Sequence, residues 1–143
     1  MILEFATFEK LREEVTITEA MLERDGFGAQ PRFRTLIAEW DRAAAGYAIC
    51  FPIYSTFQGP ALFLEDVYVR PQFRDKWIGK ALIREVGAMA LREGCSALRW
   101  QVLRWNQPAI DFYKRLGAIF LDDWKAVRIE GKALERLAGQ SKA

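Results

Sequence analysis

Apolar and polar positions alternate along this chain in a way that predicts strands and helices almost from end to end. Thr18-Glu19 reads as a helix start, a hydroxyl to cap and an acid for the first turn, continued by Ala20, Met21 and Leu22 and ended at Gly26. Strands are predicted over 33–40, 46–53 and 61–69, parted by a turn at Asp41-Arg42 and a loop from Ser55 to Pro60. Ile78, Leu82, Ile83, Val86, Met89 and Ala90 recur at the helical period, and Gly94 is placed to stop that helix. Leu98, Trp100 and Val102 alternate with Arg99 and Gln101, so 97–103 reads as a strand. Asn106, with Pro108 in the following turn, opens a short helix through Ile110, Phe112 and Tyr113 to Gly117. A last strand is expected over 124–129 and a helical turn or two over 133–138.

Three strands in succession favour an antiparallel meander, and the later strand–helix–strand units favour parallel pairing. The expected fold class is α/β, or more narrowly α+β: a central mixed sheet flanked by helices, as one domain over 1–143.

Composition narrows the chemistry more than the fold. The 143 residues are 51% hydrophobic, enough for a core that needs neither disulfide nor metal. A net charge of +2, from 21 basic and 19 acidic residues, argues against a nucleic-acid partner. No run approaches the roughly 18 apolar residues of a membrane span. The opening Met1 to Phe5 is too short and too acidic for a secretory signal, so a cytoplasmic location is expected. Histidine is absent, which removes Ser-His-Asp and Cys-His catalysis and His-ligated metals, and no metal is expected. Cys50 and Cys95, in apolar contexts and far apart, read as buried reduced thiols.

Three segments carry candidate chemistry. The predicted strand ending at Val69 leads through a basic loop, with Arg70, Arg74, Lys76 and Lys80, into a helix N-terminus. Such a start offers unpaired N–H groups and a positive dipole to a phosphorylated ligand; a solvated basic loop is the plain alternative. Glu65-Asp66 interrupts an apolar strand, where neighbouring side chains face opposite sides unless a bulge intervenes. An unpaired carboxylate is expensive to bury, so one of the two is expected at a cleft. Tyr113, taken alone, reads as a core aromatic with a polar tip.

Taken together, these segments resemble a family. Leu64 to Arg74, continuing to Ile78-Gly79, is similar to the acyl-CoA motif of the GNAT acetyltransferases. Trp105 to Ala118 resembles the second CoA motif of their diamine branch, the spermidine/spermine and thialysine N-acetyltransferases. Phe8 to Leu11, Asp25 to Gly28 and Ile53 to Phe57 resemble the same branch, especially its thialysine members.

The resemblance implies the GNAT fold and transfer of acetyl from acetyl-CoA to a small primary amine, of the thialysine, lysine-like or short-diamine kind, by direct attack. It implies that acetyl-CoA lies along Val67, Tyr68 and Val69, on the loop Arg74, Asp75, Lys76, Trp77, Ile78, Gly79 and Lys80, and against Asn106, Gln107, Pro108, Ala109 and Tyr113. Glu65 would take the proton of an amine that arrives charged, and Tyr113 would give one to the leaving thiolate. Phe8, Glu9, Glu65, Asp66, Arg99, Trp100, Gln101 and Asp123 would hold the amine. Phe57, Trp100 and Trp105 are expected to make the cleft closed and aromatic, against the reading of a protein or peptide N-acetyltransferase.

Three departures from the family pattern matter. Ser55 stands where polyamine-specific members have an acid, which favours a lysine-like amine or a short diamine. Trp77 stands where the phosphate loop has its first glycine. Its indole either blocks the diphosphate, so that Trp77→Gly lowers the Michaelis constant for acetyl-CoA, or swings outward; a non-catalytic acyl-CoA-binding protein is the alternative it raises. Finally, the segment matching Leu3 to Leu11 normally follows a first strand and most of a helix, which are missing here; the exposed sheet edge then favours a homodimer.

Overall fold

The structure, a computed structural model, describes residues 1–139. It divides into two compact units, Met1–Leu103 and a second beginning at Arg104.

The first unit carries one four-stranded sheet in the order β1-β2-β3-β4. β1 (Arg34–Trp40), β2 (Ala43–Ser55) and β3 (Gly59–Val69) form the antiparallel meander, and β4 (Ala97–Arg99) lies parallel to β3. The β1–β2 turn places Asp41 and Arg42 at φ 49° and 65°, the signature of a type I′ hairpin. The β2–β3 loop is closed by Ser55, whose Oγ accepts the N–H groups of Phe57 and Gln58, and by Gly59 at φ 85°.

Helices cover both faces. α1 (Ile2–Phe8) packs Phe5 against Tyr68, ring centroids 5.5 Å apart. α2 (Glu19–Phe27) is capped by Thr18, which accepts the Met21 N–H at 3.2 Å. It runs past the expected stop at Gly26. That glycine serves close approach instead, since a Cβ there would lie 2.7 Å from the Phe33 ring. α3 (Ile78–Arg92) buries Ile78, Leu82, Ile83, Val86 and Ala90, the stripe its period predicted. With Leu62, Leu64, Ala48 and Cys50 they form the core. Burying a Leu or Val side chain is worth about 1.5–3 kcal/mol, so this stripe is what fixes α3 to the sheet.

The second unit holds α4 (Gln107–Arg115) and α5 (Gly131–Leu137). Asn106 caps α4 by accepting the Ala109 N–H at 3.4 Å, as its sequence implied.

Two strand expectations are corrected. β4 stops at Arg99 instead of reaching 103, because β3 offers it partners only from Ala61 to Phe63. The stretch 124–129 forms no strand: it finds no partner among the described residues, and Val127 is 93% exposed. Alternation marks which side chains are apolar, but a strand also needs a neighbour for its backbone groups.

Candidate active site

The loop between β3 and α3 is held by its own side chains. Arg74 donates from Nε to the Val69 carbonyl at 3.2 Å, and its guanidinium lies over the Phe8 ring, 5.1 Å from the centroid. Lys76 stands over Trp40 at 4.5 Å, and Lys80 over Trp77 at 5.4 Å. Arg70, by contrast, is committed to structure: it grips Glu4 and donates to the Ala44 carbonyl at 2.8 Å.

Asp75 and Trp77 both take positive φ, 61° and 62°, so the backbone makes the turn that glycine usually makes. The Trp77 indole is 75% exposed, which is the outward course of the two open to it. Behind it the first intrahelical acceptor is the Trp77 carbonyl, taken by the Ala81 N–H at 2.9 Å. The N–H groups of Ile78, Gly79 and Lys80 precede that bond and have no acceptor within the helix. An anionic diphosphate suits this helix start, and Lys76 and Lys80 are the basic residues next to it in the chain.

Next to the loop, the sheet forks. β3 and β4 pair only through Ala61↔Ala97, Leu62↔Leu98 and Phe63↔Arg99. Beyond them the β4-facing edge of β3, including Val67, Tyr68 and Val69, has no strand beside it among the described residues. An extended ligand with amide groups matches such an edge.

The carboxylates of β3 are arranged by a bulge. Ile49 faces Asp66 while Cys50 faces Leu64, so Glu65 is an extra residue in β3. Without it Leu62, Leu64, Asp66 and Tyr68 would share one face. The bulge leaves the leucines with α3 and turns Asp66 and Tyr68 to the α1 face, where Glu9 caps α1. Asp66 accepts a hydrogen bond from the Tyr47 hydroxyl at 2.9 Å. Burial raises the Asp66 carboxyl above its ordinary range, and the Tyr47 bond pulls it partly back. Desolvation, then the charge of Asp66, raises Glu65 and Glu9 as well. None of the three forms an ion pair with a described residue. A cation is what this cluster lacks.

The remaining candidates lie farther along the chain. Arg99 ends β4 and donates to Gln58 at 2.6 Å, and Trp100 and Gln101 follow outside the strand. In the second unit Tyr113 is the buried residue of α4, with the Phe112 ring centroid 5.5 Å away. Asn106 spends its side chain on the helix cap, and Gln107 donates to Asp111 at 2.7 Å, beside Pro108 and Ala109. Asp123 is exposed in the irregular stretch before α5. Phe57, expected in the cleft, is at the β2–β3 hairpin tip and 94% exposed, because the Ser55 turn carries it outward. Tyr47 is a residue that sequence reasoning missed. Its role depends on the bulge two strand positions away, which local alternation does not reveal.

Known proteins resemble this chain in sequence and in fold. A thialysine N-epsilon-acetyltransferase from Sus scrofa is 42% identical over 151 aligned residues, covering 98% of this chain and 89% of that protein. Among solved structures, an integron cassette protein of V. cholerae superposes with TM-score 0.78 at 20% identity, over 95% of this chain and 86% of that one. An aminoglycoside N-acetyltransferase, AAC(6')-Iy in complex with CoA, superposes with TM-score 0.68 at 22% identity, over 91% and 88%. Residues 2–118 match the acetyltransferase (GNAT) family, and the chain belongs to it.

Proposed function

We propose that this chain is a cytoplasmic, single-domain N-acetyltransferase that moves acetyl from acetyl-CoA to a primary amine of a lysine-like small molecule, with thialysine as the type and short diamines beside it. The observation that carries the reading is the unneutralised carboxylate group Glu9, Glu65 and Asp66, directly beside the forked edge of β3. A cationic amine is drawn to the first feature and an acyl-pantetheine to the second. The Sus scrofa relative acts on thialysine by its name, and a neighbour in fold is known with CoA. Ser55, whose Oγ is spent on the hairpin turn, offers no charge for a longer polycation.

Acetyl-CoA supplies an activated acyl thioester. The N–H groups of Ile78, Gly79 and Lys80 hold its diphosphate, flanked by Lys76 and Lys80, and the edge of β3 from Val67 to Val69 orients the arm. An alkyl ammonium has a reference pKa near 10.4, so a base must free its lone pair. Glu65, raised by its surroundings and open to solvent, takes that proton. Asp66 and Glu9 hold the remaining charge of the substrate. Tyr113 supplies a proton to the departing sulfur, the role its motif position implies. Metal-ligand clusters are absent among the described residues, and no described helix is long and apolar enough to cross a membrane.

The outer edge of β1, which no strand among the described residues covers, supports a homodimer, and light scattering checks it. The function itself is tested by thiol release from acetyl-CoA with thialysine, lysine and short diamines, together with a thermal shift by CoA. At 100 times its dissociation constant, CoA should stabilise the fold by about 2.7 kcal/mol. No shift with CoA and no amine-dependent thiol overturns the reading; a shift without turnover leaves a non-catalytic acyl-CoA binder.

A further inference from the structure

We propose that Tyr47 is a positioning residue of the amine site: its buried phenol holds Asp66 as the fixed counter-charge for the substrate ammonium and leaves neighbouring Glu65 free to take the proton. The proposal rests on the transferase reading above and assigns a division of labour within it.

Tyr47 is only 2% exposed. Its ring centroid is 6.2 Å from that of Tyr68, which in turn lies 5.5 Å from Phe5 of α1. Three packed rings, on β2, β3 and α1, therefore fix where the hydroxyl points. A phenol so deep needs an acceptor, and the one it has is Asp66 Oδ2 at 2.9 Å. That bond sets the carboxylate of Asp66 in one place.

Glu65 is held differently. It is the inserted residue of the bulge, it is exposed, and no hydrogen bond to a described residue restrains its carboxylate. One of the two adjacent acids is anchored and half-buried, the other exposed and without a hydrogen bond to a described residue. The anchored one suits a counter-charge. The free one suits proton removal, in which an ammonium N–H bond breaks, an O–H bond forms on Glu65, and the electron pair stays on nitrogen for attack.

The groups facing Asp66 are Tyr47 of β2, Glu65 of β3 and Glu9 at the end of α1. Tyr68 lies behind Tyr47, in the field of Glu4, Arg70 and Arg74. No described cation pairs with Asp66, so the Tyr47 hydroxyl is the group that favours its charged form, against the cost of burial. Loss of that donor moves the ionisation of Asp66 upward.

Tyr47→Phe in the full chain tests this. The expected result is an amine Michaelis constant raised roughly tenfold, the scale of one hydrogen bond to a charged group. The turnover number and the Michaelis constant for acetyl-CoA should hold, and the acidic limb of kcat/KM for the amine should move to higher pH. In an Asp66→Asn background the same substitution should add nothing. Should the phenylalanine variant not fold, 3-fluorotyrosine placed at position 47 keeps the ring and strengthens the donor, and the acidic limb should move to lower pH. A purely structural Tyr47 would lower the melting temperature and leave the limb and the amine Michaelis constant where they were, which overturns the proposal alone. A wild-type chain without amine-dependent turnover overturns the transferase reading and this proposal with it.

Discussion

Arg70 and Glu4 form a two-pronged pair, Nε to Oε2 at 2.9 Å and the terminal nitrogen to Oε1 at 2.7 Å, which fastens α1 to the end of β3. The same guanidinium reaches the Ala44 carbonyl, so α1 is tied to both strands of the central hairpin. α1 ends at Phe8 with Glu9 as its cap, and the pair therefore sets the position of two residues proposed for the amine site. Arg70→Met should raise the amine Michaelis constant, leave that for acetyl-CoA unchanged, and make the melting temperature less sensitive to salt, as steady-state kinetics and melts at low and high ionic strength will read out.

Trp77 carries a left-handed backbone, φ 62°, with a side chain that is mostly in water. A residue with a Cβ loses roughly 1–2 kcal/mol in that conformation, and glycine does not. Trp77→Gly should stabilise the fold by about 1 kcal/mol once the greater freedom of the unfolded glycine is counted. Trp77→Ala, which keeps the Cβ, should bring no such gain in chemical denaturation. Because the indole lies outward, the Michaelis constant for acetyl-CoA should be the same in both variants as in the parent.

Glu65→Gln keeps the bulge and its shape but removes the proposed proton acceptor. The turnover number should fall about 10²-fold or more, with acetyl-CoA affinity by thermal shift unchanged. Raising the pH should recover part of the loss, since a larger fraction of the amine then arrives already neutral.

The acid cluster should also be visible in stability. Glu9 ionises at a higher pH in the folded chain than in the unfolded one, through burial and then the charge of Asp66. A carboxylate raised in this way binds its proton more tightly when folded, so its contribution favours the fold at low pH and is lost as pH rises through the gap between the two values. Glu9→Gln should therefore raise the melting temperature at neutral pH and change it little below the ordinary carboxylate range. Melts across pH 3 to 8 check this; equal effects at both ends would assign the change to packing.

The α3 stripe, the Thr18 and Asn106 caps and the meander are legible in the sequence, because each depends on residues within a turn or a strand of one another. The limits of β4 are not, since they depend on which residues of β3 lie beside it. Glu65-Asp66 marks a place where carboxylates interrupt an apolar strand, yet which one joins the α1 face is decided by a shift in register against Ile49 and Cys50. Tyr47 gives no local signal, because its significance lies in a partner 19 residues away. The segment 124–129 shows the converse error, an apolar rhythm without a strand to receive it.

The Asp41-Arg42 corner offers a practical use. Both residues bear a Cβ where the backbone turns left-handed, and neither belongs to the proposed chemistry. Writing glycine at position 42 would match the Asp-Gly preference of such corners. The result would be a sturdier parent chain, on which substitutions that weaken the fold could be assayed for what they do to the reaction alone.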